Sequence, residues 1–190
     1  MERIEQLEYP GENVQVFIEG GEVLQGKRGL TAEVFLRRSK HWSENDQIVG
    51  AIINGHLQEL MTPINLEVNI APVKMSDADG ALIYRRSLTF LLGAVFEELF
   101  PQKDLLIDHS VSSGGYYCQL ENGQELSEAD ISALEHKMRD YVDADIPFEK
   151  KSVPLEAAKD LFRSKKHLEK VRLLEFRMKS HLILYSMGEH

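Results

Sequence analysis

The sequence predicts an α+β fold. Apolar residues alternate with polar ones at Val14, Val16 and Ile18, which is the period of a β-strand. A longer stretch, residues 81–100, instead repeats its apolar residues at helical spacing and ends before Pro101. Strand and helix patterns occur in both halves of the 190-residue chain, which is long enough for one large domain or two small ones.

The first half begins with a predicted hairpin and a helix. Gly20-Gly21 supplies the positive φ of a tight turn between the strand at residues 14–18 and a return strand that begins at Val23-Leu24. Thr31 is expected to cap a helix whose apolar side is Val34 and Phe35. Cations near the end of this helix complement its dipole; they are Arg37, Arg38 and Lys40.

Three more strands complete the first half. Ile48–Ile53 has the apolar run of a buried strand, and Asn54-Gly55 predicts a hairpin directly after it. A last alternating strand carries Leu66, Val68 and Ile70. The order strand, strand, helix, strand, strand, strand predicts a mixed sheet covered by one helix, which is a β-grasp arrangement. Residues 72–80 are polar and rich in turn formers, and we expect a domain boundary there.

The second half mixes helices with short strands. The helix at 81–100 is followed by two predicted strands within residues 107–120. Ser127 is a good N-cap for the next helix, and Asp130 at its third position is an acidic near-match to a capping box. Two short helices at 154–162 and 166–174 precede an apolar strand at 181–187. The expected organisation is a leader at 1–12, a domain at 13–72 and an incomplete domain at 80–190.

Bulk properties limit the function classes. The formal net charge of −9 argues against a protein that coats nucleic acid with its whole surface, although a local basic patch remains compatible with it. A single cysteine, Cys118, excludes an intrachain disulfide. The N-terminus has no basic and apolar signal pattern, and the apolar stretch at 88–100 is short for a membrane span. We therefore expect a cytoplasmic protein with no membrane partner.

The second half of the chain contains a long series of residues that together form one pattern. The series comprises Arg86-Ser87, Leu91-Leu92-Gly93-Ala94, Leu99-Phe100-Pro101, Ile107-Asp108-His109-Ser110, Gly115-Tyr116-Tyr117, residues 126–131, Leu134-Glu135, Met138, Pro147-Phe148-Glu149, Ala157-Ala158, Phe162 and Lys170-Val171. In this order it resembles the editing-type second domain of threonyl-tRNA synthetase, which alanyl-tRNA synthetase shares. The β-grasp segment before it resembles the TGS domain of the same synthetase. Together the two resemblances cover residues 13–187.

The editing site of that family is altered in this chain. The family's long helix carries two histidines four residues apart, and Arg86 and Phe90 occupy the matching positions here. Arginine has no lone pair to offer, and phenylalanine has no polar atom, so neither replaces an imidazole. The family's cysteine–histidine pair would follow the strand at which this chain ends. The resemblance therefore implies no catalytic residue and no metal ligand, and synthetase-type editing is not expected.

Some residues that depart from the synthetase pattern resemble a second group of proteins. Ile83-Tyr84-Arg85-Arg86-Ser87 and Ile107-Asp108-His109-Ser110 are similar to the region ahead of the P-loop in bacterial uridine-kinase-like proteins of the phosphoribulokinase/uridine kinase family. This implies a truncated, non-catalytic accessory or regulatory module of a nucleoside kinase. Because the chain has no G-x-x-x-x-G-K-[ST] motif, uridine phosphorylation with ATP and Mg²⁺ would belong to a C-terminal kinase domain, which is also the expected partner. The alternatives are an RNA- or tRNA-binding module and an aminoacyl-tRNA editing hydrolase.

Two charged clusters are candidate binding sites. Arg85-Arg86 could hold phosphate or carboxylate, since guanidinium groups pair with both in bidentate fashion. An ion pair with Asp108 or a solvated helix face is the structural alternative. Asp108-His109-Ser110 contains the residue types of a hydrolytic triad, but neighbours on a strand point to opposite faces and cannot converge on one proton relay. His109 could still line a cleft, or the three could form a hydrogen-bonded turn.

The remaining candidates are a glycine loop, two tyrosines and a basic region. Gly114-Gly115 could lie beside a cleft, and Tyr116-Tyr117 could stack on a base, although one of the two rings is expected to face the core. Cations in the second half could guide RNA phosphates or simply be solvated; they include Lys150-Lys151, Arg163, Lys165-Lys166, Lys170, Arg172, Arg177 and Lys179. The predicted ligand- or anion-binding residues are Arg85, Arg86, Asp108, His109, Ser110, Gly114, Gly115 and Tyr116. An exposed sheet edge in the incomplete domain also predicts self-association into a homo-oligomer.

Overall fold

The protein is described by a computed structural model that covers residues 11–110, 115–121, 123–165 and 167–188. The chain divides into two compact units, Met1–Leu88 and Thr89–His190. Most of the predicted leader, and Gly114, lie outside the described residues, as do the side chains of His109 and Ser110. Both units combine strands with helices, so the predicted α+β class is confirmed.

The first unit is built on a five-stranded sheet in the order β2-β1-β5-β3-β4. Strand β1 pairs parallel with β5, while the β1–β2, β3–β4 and β3–β5 pairs are antiparallel. The strand bounds are Asn13–Ile18 (β1), Glu22–Lys27 (β2), Ile48–Ile53 (β3), His56–Gln58 (β4) and Val68–Lys74 (β5). This is the mixed sheet that the β-grasp arrangement predicted.

The two predicted hairpin turns have the backbone that their residues favour. Gly20 and Gly21 have φ values of 83° and 87°, and Asn54 and Gly55 have φ values of 48° and 82°. In the second hairpin, Asn54 and Gly55 are the two residues between the paired Ile53 and His56, and positive φ at both matches the right-handed twist of the flanking strands. The first hairpin has a three-residue loop between the paired Ile18 and Glu22, and glycine reaches the two positive φ values there at low cost. The alternation in β1 buries Val14, Val16 and Ile18 on one face of the sheet.

One helix closes that face. Helix α1 spans Ala32–Arg38 and buries Ala32, Phe35 and Leu36, which recur at helical spacing. The prediction that Val34 lies on the apolar side was wrong, because one residue corresponds to about 100° of helical rotation and turns Val34 to solvent. Thr31 precedes the helix as expected, but its side chain makes no capping hydrogen bond.

The end of the first unit differs from the sequence prediction at two places. Leu66 is exposed and precedes β5, since the ladder with β1 begins only at Val68. The stretch predicted as turn-rich, residues 72–80, completes β5 up to Lys74 and already contains the start of helix α2, Ala78–Leu99. The division between the two compact units falls within this helix.

The described residues of the second unit form two separate two-stranded sheets and three further helices. Strand β6 pairs antiparallel with β7, and β8 pairs antiparallel with β9 over seven residue pairs. The bounds are Leu105–Ser110 (β6), Tyr116–Leu120 (β7), Glu128–Asp143 (α3), Phe148–Pro154 (β8), Leu155–Ser164 (α4), Leu168–Glu175 (α5) and His181–Met187 (β9). Strand β8 is absent from the sequence prediction.

The apolar residues of the second unit form two cores. One core joins Leu91, Val95 and Phe96 of α2 to Leu120, Leu134 and Met187. The other joins Ala158 of α4, Leu174 of α5 and Leu182 of β9. Leu182 and Met187 are an odd number of residues apart and therefore lie on opposite faces of β9. The β8–β9 ribbon thus contributes to both cores.

The predicted N-cap of α3 is confirmed. The Asp130 backbone N–H donates to the Ser127 hydroxyl at 3.1 Å, and the Ser127 backbone N–H donates to the Asp130 carboxylate at 3.0 Å. The Ser127 hydroxyl also donates to this carboxylate at 2.8 Å. Hydrogen bonds from the Ser127 side chain and then its backbone lower the pKa of Asp130. The helix therefore begins with a complete capping box.

Candidate functional site

The two arginines predicted as an anion site lie on α2. Arg85 is half-buried, and its Nε donates to the carbonyl oxygen of Ala81 one turn earlier, at 3.3 Å. Arg86 is exposed and makes no ion pair with the described residues. Arg85 is thus partly engaged by its own helix, while the guanidinium of Arg86 is open to solvent.

Phe90 occupies the second position at which the resemblance places an editing histidine. Its ring centroid lies 5.5 Å from that of Phe148, and the side chain packs against the core that contains Leu91 and Val95. An aromatic pair at this distance is a packing contact. No group of three or more His, Cys, Asp or Glu side chains is placed to hold a metal within the described ranges.

The Asp108-His109-Ser110 cluster lies on β6, in the hairpin that β6 forms with β7. Asp108 is exposed, and the β6–β7 register shifts between Ile107 and Ser110. This irregularity includes Asp108 and His109, and it interrupts the regular alternation of side chains expected for a strand. Ser110 is paired through its backbone with Tyr116.

Both tyrosines of this hairpin are open to solvent. Tyr116 is 39% exposed and Tyr117 is 49% exposed, so the prediction that one ring faces the core was wrong. The reason is that Leu120 is the only described residue of β7 that is buried. Gly115 is exposed as well. The hairpin therefore presents two aromatic rings next to a bulge.

The surroundings of these rings are acidic or unreactive. The N–H of Glu121, at the end of β7, donates to the carbonyl of Asp104, just before β6, at 3.0 Å, and both acidic residues are exposed. Burial raises the pKa of the Cys118 thiol, which favours its neutral form. The described part of the hairpin thus offers no cation that would attract phosphate.

Cations are concentrated instead in residues 163–181, which we call the basic segment. It contains seven lysine or arginine residues and two glutamates. Arg163 pairs with Asp160 at 2.7 Å, Lys165 pairs with Glu97 at 3.6 Å, and Lys170 lies 5.4 Å from the centroid of the Phe162 ring. Three further cations are exposed and make no ion pair in the described part of the chain; they are Arg172, Arg177 and Lys179.

Sequence reasoning identified these cations but missed the apolar residues among them. Leu173 is 74% exposed, Phe176 is 86% exposed and Met178 is fully exposed. A signal for Leu173 was available, because Val171 and Leu174 are three residues apart and define the inner face of a helix. Phe176 and Met178 follow the helix, where periodicity no longer predicts a side-chain direction.

A shallow groove of about 440 Å³ lies within the first unit. It runs beside the two hairpin turns and is lined mainly by Phe17, Ile52, Asn69 and Ala71, with Glu19 as its single charged residue. None of the described residues that line it is a cation, so its chemistry suits an apolar contact better than an anion. Within the described parts of the chain, no helix is both long enough and apolar enough to cross a membrane.

Comparison with known proteins gives one consistent result. No family model matches the chain. The threonine–tRNA ligase of Thermotoga maritima is 28% identical over 144 residues, which are 74% of this chain and 22% of that ligase. The ligase of Anaplasma marginale (strain St. Maries) is 29% identical over 145 residues, or 76% of this chain and 23% of that protein. The ligase of a Sulfurihydrogenibium species is 24% identical over 181 residues, or 93% of this chain and 28% of its own length.

These similarities define what the chain resembles. Most of the chain is a threonine–tRNA-ligase-like region, as the resemblance in the sequence predicted. The chain spans about a quarter of the length of the curated relatives it matches. The relatives compared are ligases, so the comparison supports the synthetase-related alternative better than the expected link to a nucleoside kinase.

Proposed function

We propose that this chain is a tRNA-binding module of the threonine–tRNA-ligase type that does not itself hydrolyse a mischarged tRNA. The observation that carries the proposal is the similarity to ligases over about three quarters of the chain or more. The β-grasp topology of the first unit supports its assignment as a TGS-like domain. The basic segment supports RNA binding, because exposed lysine and arginine residues are what phosphate contacts require.

Two residues support the non-hydrolytic part of the proposal. Arg86 and Phe90 occupy the positions that the resemblance gives to a pair of imidazoles. Arg86 remains protonated and has no lone pair, while Phe90 is packed against Phe148. Neither side chain can take a proton from water or hold a metal ion at these positions. A hydrolytic water would have to be activated elsewhere.

The test combines binding and hydrolysis on the same protein. Fluorescence anisotropy with unacylated tRNA should give a dissociation constant of about 1–100 μM near physiological salt, with an affinity that falls steeply as salt rises. A mischarged aminoacyl-tRNA should lose its amino acid no faster with the protein than in buffer. Absence of tRNA binding would falsify the proposal. Deacylation that depends on the protein would show instead that the module is an editing hydrolase.

A second candidate is the accessory module of a uridine-kinase-like protein. Arg86 and the preceding Tyr84-Arg85 favour it, because this sequence departs from the synthetase pattern toward the kinase-linked one. ATP or UMP should then raise the melting temperature of the protein by linkage, and the Arg86→Ala variant should lose that shift. An unchanged shift in Arg86→Ala would remove this arginine from the nucleotide site. Cytoplasmic location and self-association stay predictions.

A further inference from the structure

The last turn of α5 and the connection from it to β9 expose apolar and basic side chains together. We define the basic–apolar loop as residues 172–179. Large apolar side chains this open to solvent are unusual in a monomeric protein when they are neighbours, and they mark interaction surfaces. The exposed apolar and basic members of the loop are Arg172, Leu173, Phe176, Arg177, Met178 and Lys179, and its one acidic residue, Glu175, is exposed as well.

The fold holds this loop at both ends. Leu174 is buried against Leu182 and Ala158, which fixes the end of α5. The Arg177 backbone N–H donates to the carbonyl of Leu174 at 3.2 Å and continues the chain as a turn. At the other end, the Leu155 N–H donates to the carbonyl of Ser180 at 2.9 Å. Residues 176–179 therefore lie between two anchored points, and Arg172 and Leu173 lie on the last turn of α5.

The charge of the loop selects an anionic partner. Its three cations make no ion pair in the described residues, and the basic segment around it has seven cations against two acids in a chain of net charge −9. Local positive charge on an otherwise acidic protein attracts anionic partners to that part of the surface. Arginines beside an exposed aromatic ring are the combination that binds unpaired nucleotides, through phosphate contacts and base stacking.

We propose that the basic–apolar loop is the place at which this module holds single-stranded RNA. Arg172, Arg177 and Lys179 contact the phosphates, and Phe176 stacks on an unpaired base. This inference rests on the proposed tRNA-binding function and adds to it the site and the preference for an unpaired segment.

The geometry favours RNA over a membrane surface. A helix that lies on a membrane gathers its apolar residues on one face and its cations on the other. Here α5 buries Val171 and Leu174 within the protein, while Leu173 points away from them. Phe176 and Met178 lie beyond the helix and alternate along the chain with Arg177 and Lys179. Such mixing suits a polymer in which charge and apolar rings also alternate.

The experiment uses the whole chain and two fluorescent RNAs of equal length, one single-stranded and one a blunt duplex. The Arg177→Ala/Lys179→Ala variant should bind both RNAs about tenfold more weakly, and its salt slope should fall by about two. The matched control, Lys27→Ala/Arg139→Ala, removes the same charge from exposed positions elsewhere and should change the affinity by less than about twofold. Circular dichroism and melting temperatures check that all variants are folded.

The aromatic contact has its own readout. Phe176→Ala should weaken single-strand binding by about tenfold and leave duplex binding nearly unchanged, since only an unpaired base offers its face to a ring. Wild-type binding to RNA with equal losses in the loop and control variants overturns the loop assignment and leaves the proposed function standing. A wild-type protein that binds tRNA but not the single-stranded RNA overturns this inference alone, and a wild-type protein that binds neither overturns the proposed function as well. Binding to anionic phospholipid vesicles but not to RNA, lost in Phe176→Ala, makes the loop a membrane contact and overturns the inference.

Discussion

The two units bury apolar residues in different ways. In the first unit, ten buried residues form one cluster between the sheet and α1. In the second unit, the buried residues that cluster are divided between groups of six and three, and its four described strands form two separate ribbons. A divided core leaves more side chains near solvent for the same number of residues, because the ratio of surface to volume rises as a core becomes smaller.

This difference suggests a division of roles. The single core of the first unit makes it tolerant of surface change and sensitive to core change. The second unit, with its smaller cores, carries the most exposed apolar residues of the described chain, Phe176 and Met178. Surfaces that bind partners are drawn from parts of a protein with fewer internal contacts. We therefore expect stability to depend mainly on the first unit and ligand binding mainly on the second.

The largest effect should come from truncating a buried leucine in each unit. Leu36 is fully buried within the ten-residue cluster, and Leu174 is 6% exposed within the three-residue cluster. Leu36→Ala should cost about 4 kcal/mol and Leu174→Ala about 2 kcal/mol, because a small core beside solvent can collapse around the vacated space. Urea unfolding followed by hydrogen exchange in peptides from each unit would measure the two costs separately.

Peptide-level exchange is needed since a chain of two units does not have to unfold in one step. Phe176→Ala serves as the control in the same experiment, because an exposed side chain contributes little to the core. Equal losses of unfolding free energy in Leu36→Ala and Leu174→Ala would contradict the expectation that the divided core is less sensitive to truncation.

Two glycines on α2 provide a second, smaller contrast. A Cβ at Gly80 would lie 1.8 Å from the carbonyl oxygen of Lys74, which accepts the Asp77 N–H, whereas a Cβ at Gly93 would meet nothing within 4 Å. Gly80→Ala should therefore cost about 2 kcal/mol through forced displacement of the backbone. Gly93→Ala should stabilise the helix by about 0.5–1 kcal/mol. Thermal unfolding of the two variants measures whether each change stabilises or destabilises the protein. A Gly80→Ala variant more stable than the wild type would contradict the close approach of residue 80 to the Lys74 carbonyl.

Local patterns predicted most of the fold. The alternation of Val14, Val16 and Ile18, the Asn54-Gly55 turn and the Ser127–Asp130 cap each depend on residues a few positions apart, and each is present in the structure. Strand β8 was missed because its residues are almost all exposed and show no alternation. Its strand conformation depends on pairing with β9, about thirty residues further along the chain. Such a partner cannot be deduced from a single window of sequence.

The candidate site was less predictable for a related reason. Charge identified Arg86, Arg177 and Lys179 as candidate contacts, since exposed cations need no fold to be recognised. The register shift at Asp108 and the exposure of Tyr116 depend on how β6 pairs with β7 and on what fails to cover that ribbon. The exposure of Phe176 depends on where α5 ends. Exposed apolar residues therefore require the tertiary structure before they can be interpreted.

The smallest contrast concerns the start of one helix in each unit. Ser127→Ala removes a hydroxyl that accepts the Asp130 N–H at 3.1 Å, and it should cost about 1 kcal/mol. Thr31→Ala at the start of α1 removes a side chain that makes no capping hydrogen bond, so its cost should be smaller, within about 0.5 kcal/mol. Equilibrium unfolding in urea at neutral pH measures both values. Equal costs would show that the capping box adds nothing.

The pH dependence of this pair identifies the charged half of the box. Hydrogen bonds from Ser127 lower the pKa of Asp130 below its ordinary value of 3.8, so the ionised carboxylate stabilises the folded state above that pH. The stabilisation is lost as the pH falls through the lowered pKa, because the carboxyl is then protonated in both states. The loss of unfolding free energy in Ser127→Ala should therefore be largest at neutral pH and become smaller below about pH 3.8. The loss in Thr31→Ala should not change with pH. If the loss of unfolding free energy in Ser127→Ala were the same in acid as at neutral pH, the hydroxyl alone would stabilise the start of the helix, without the carboxylate of Asp130.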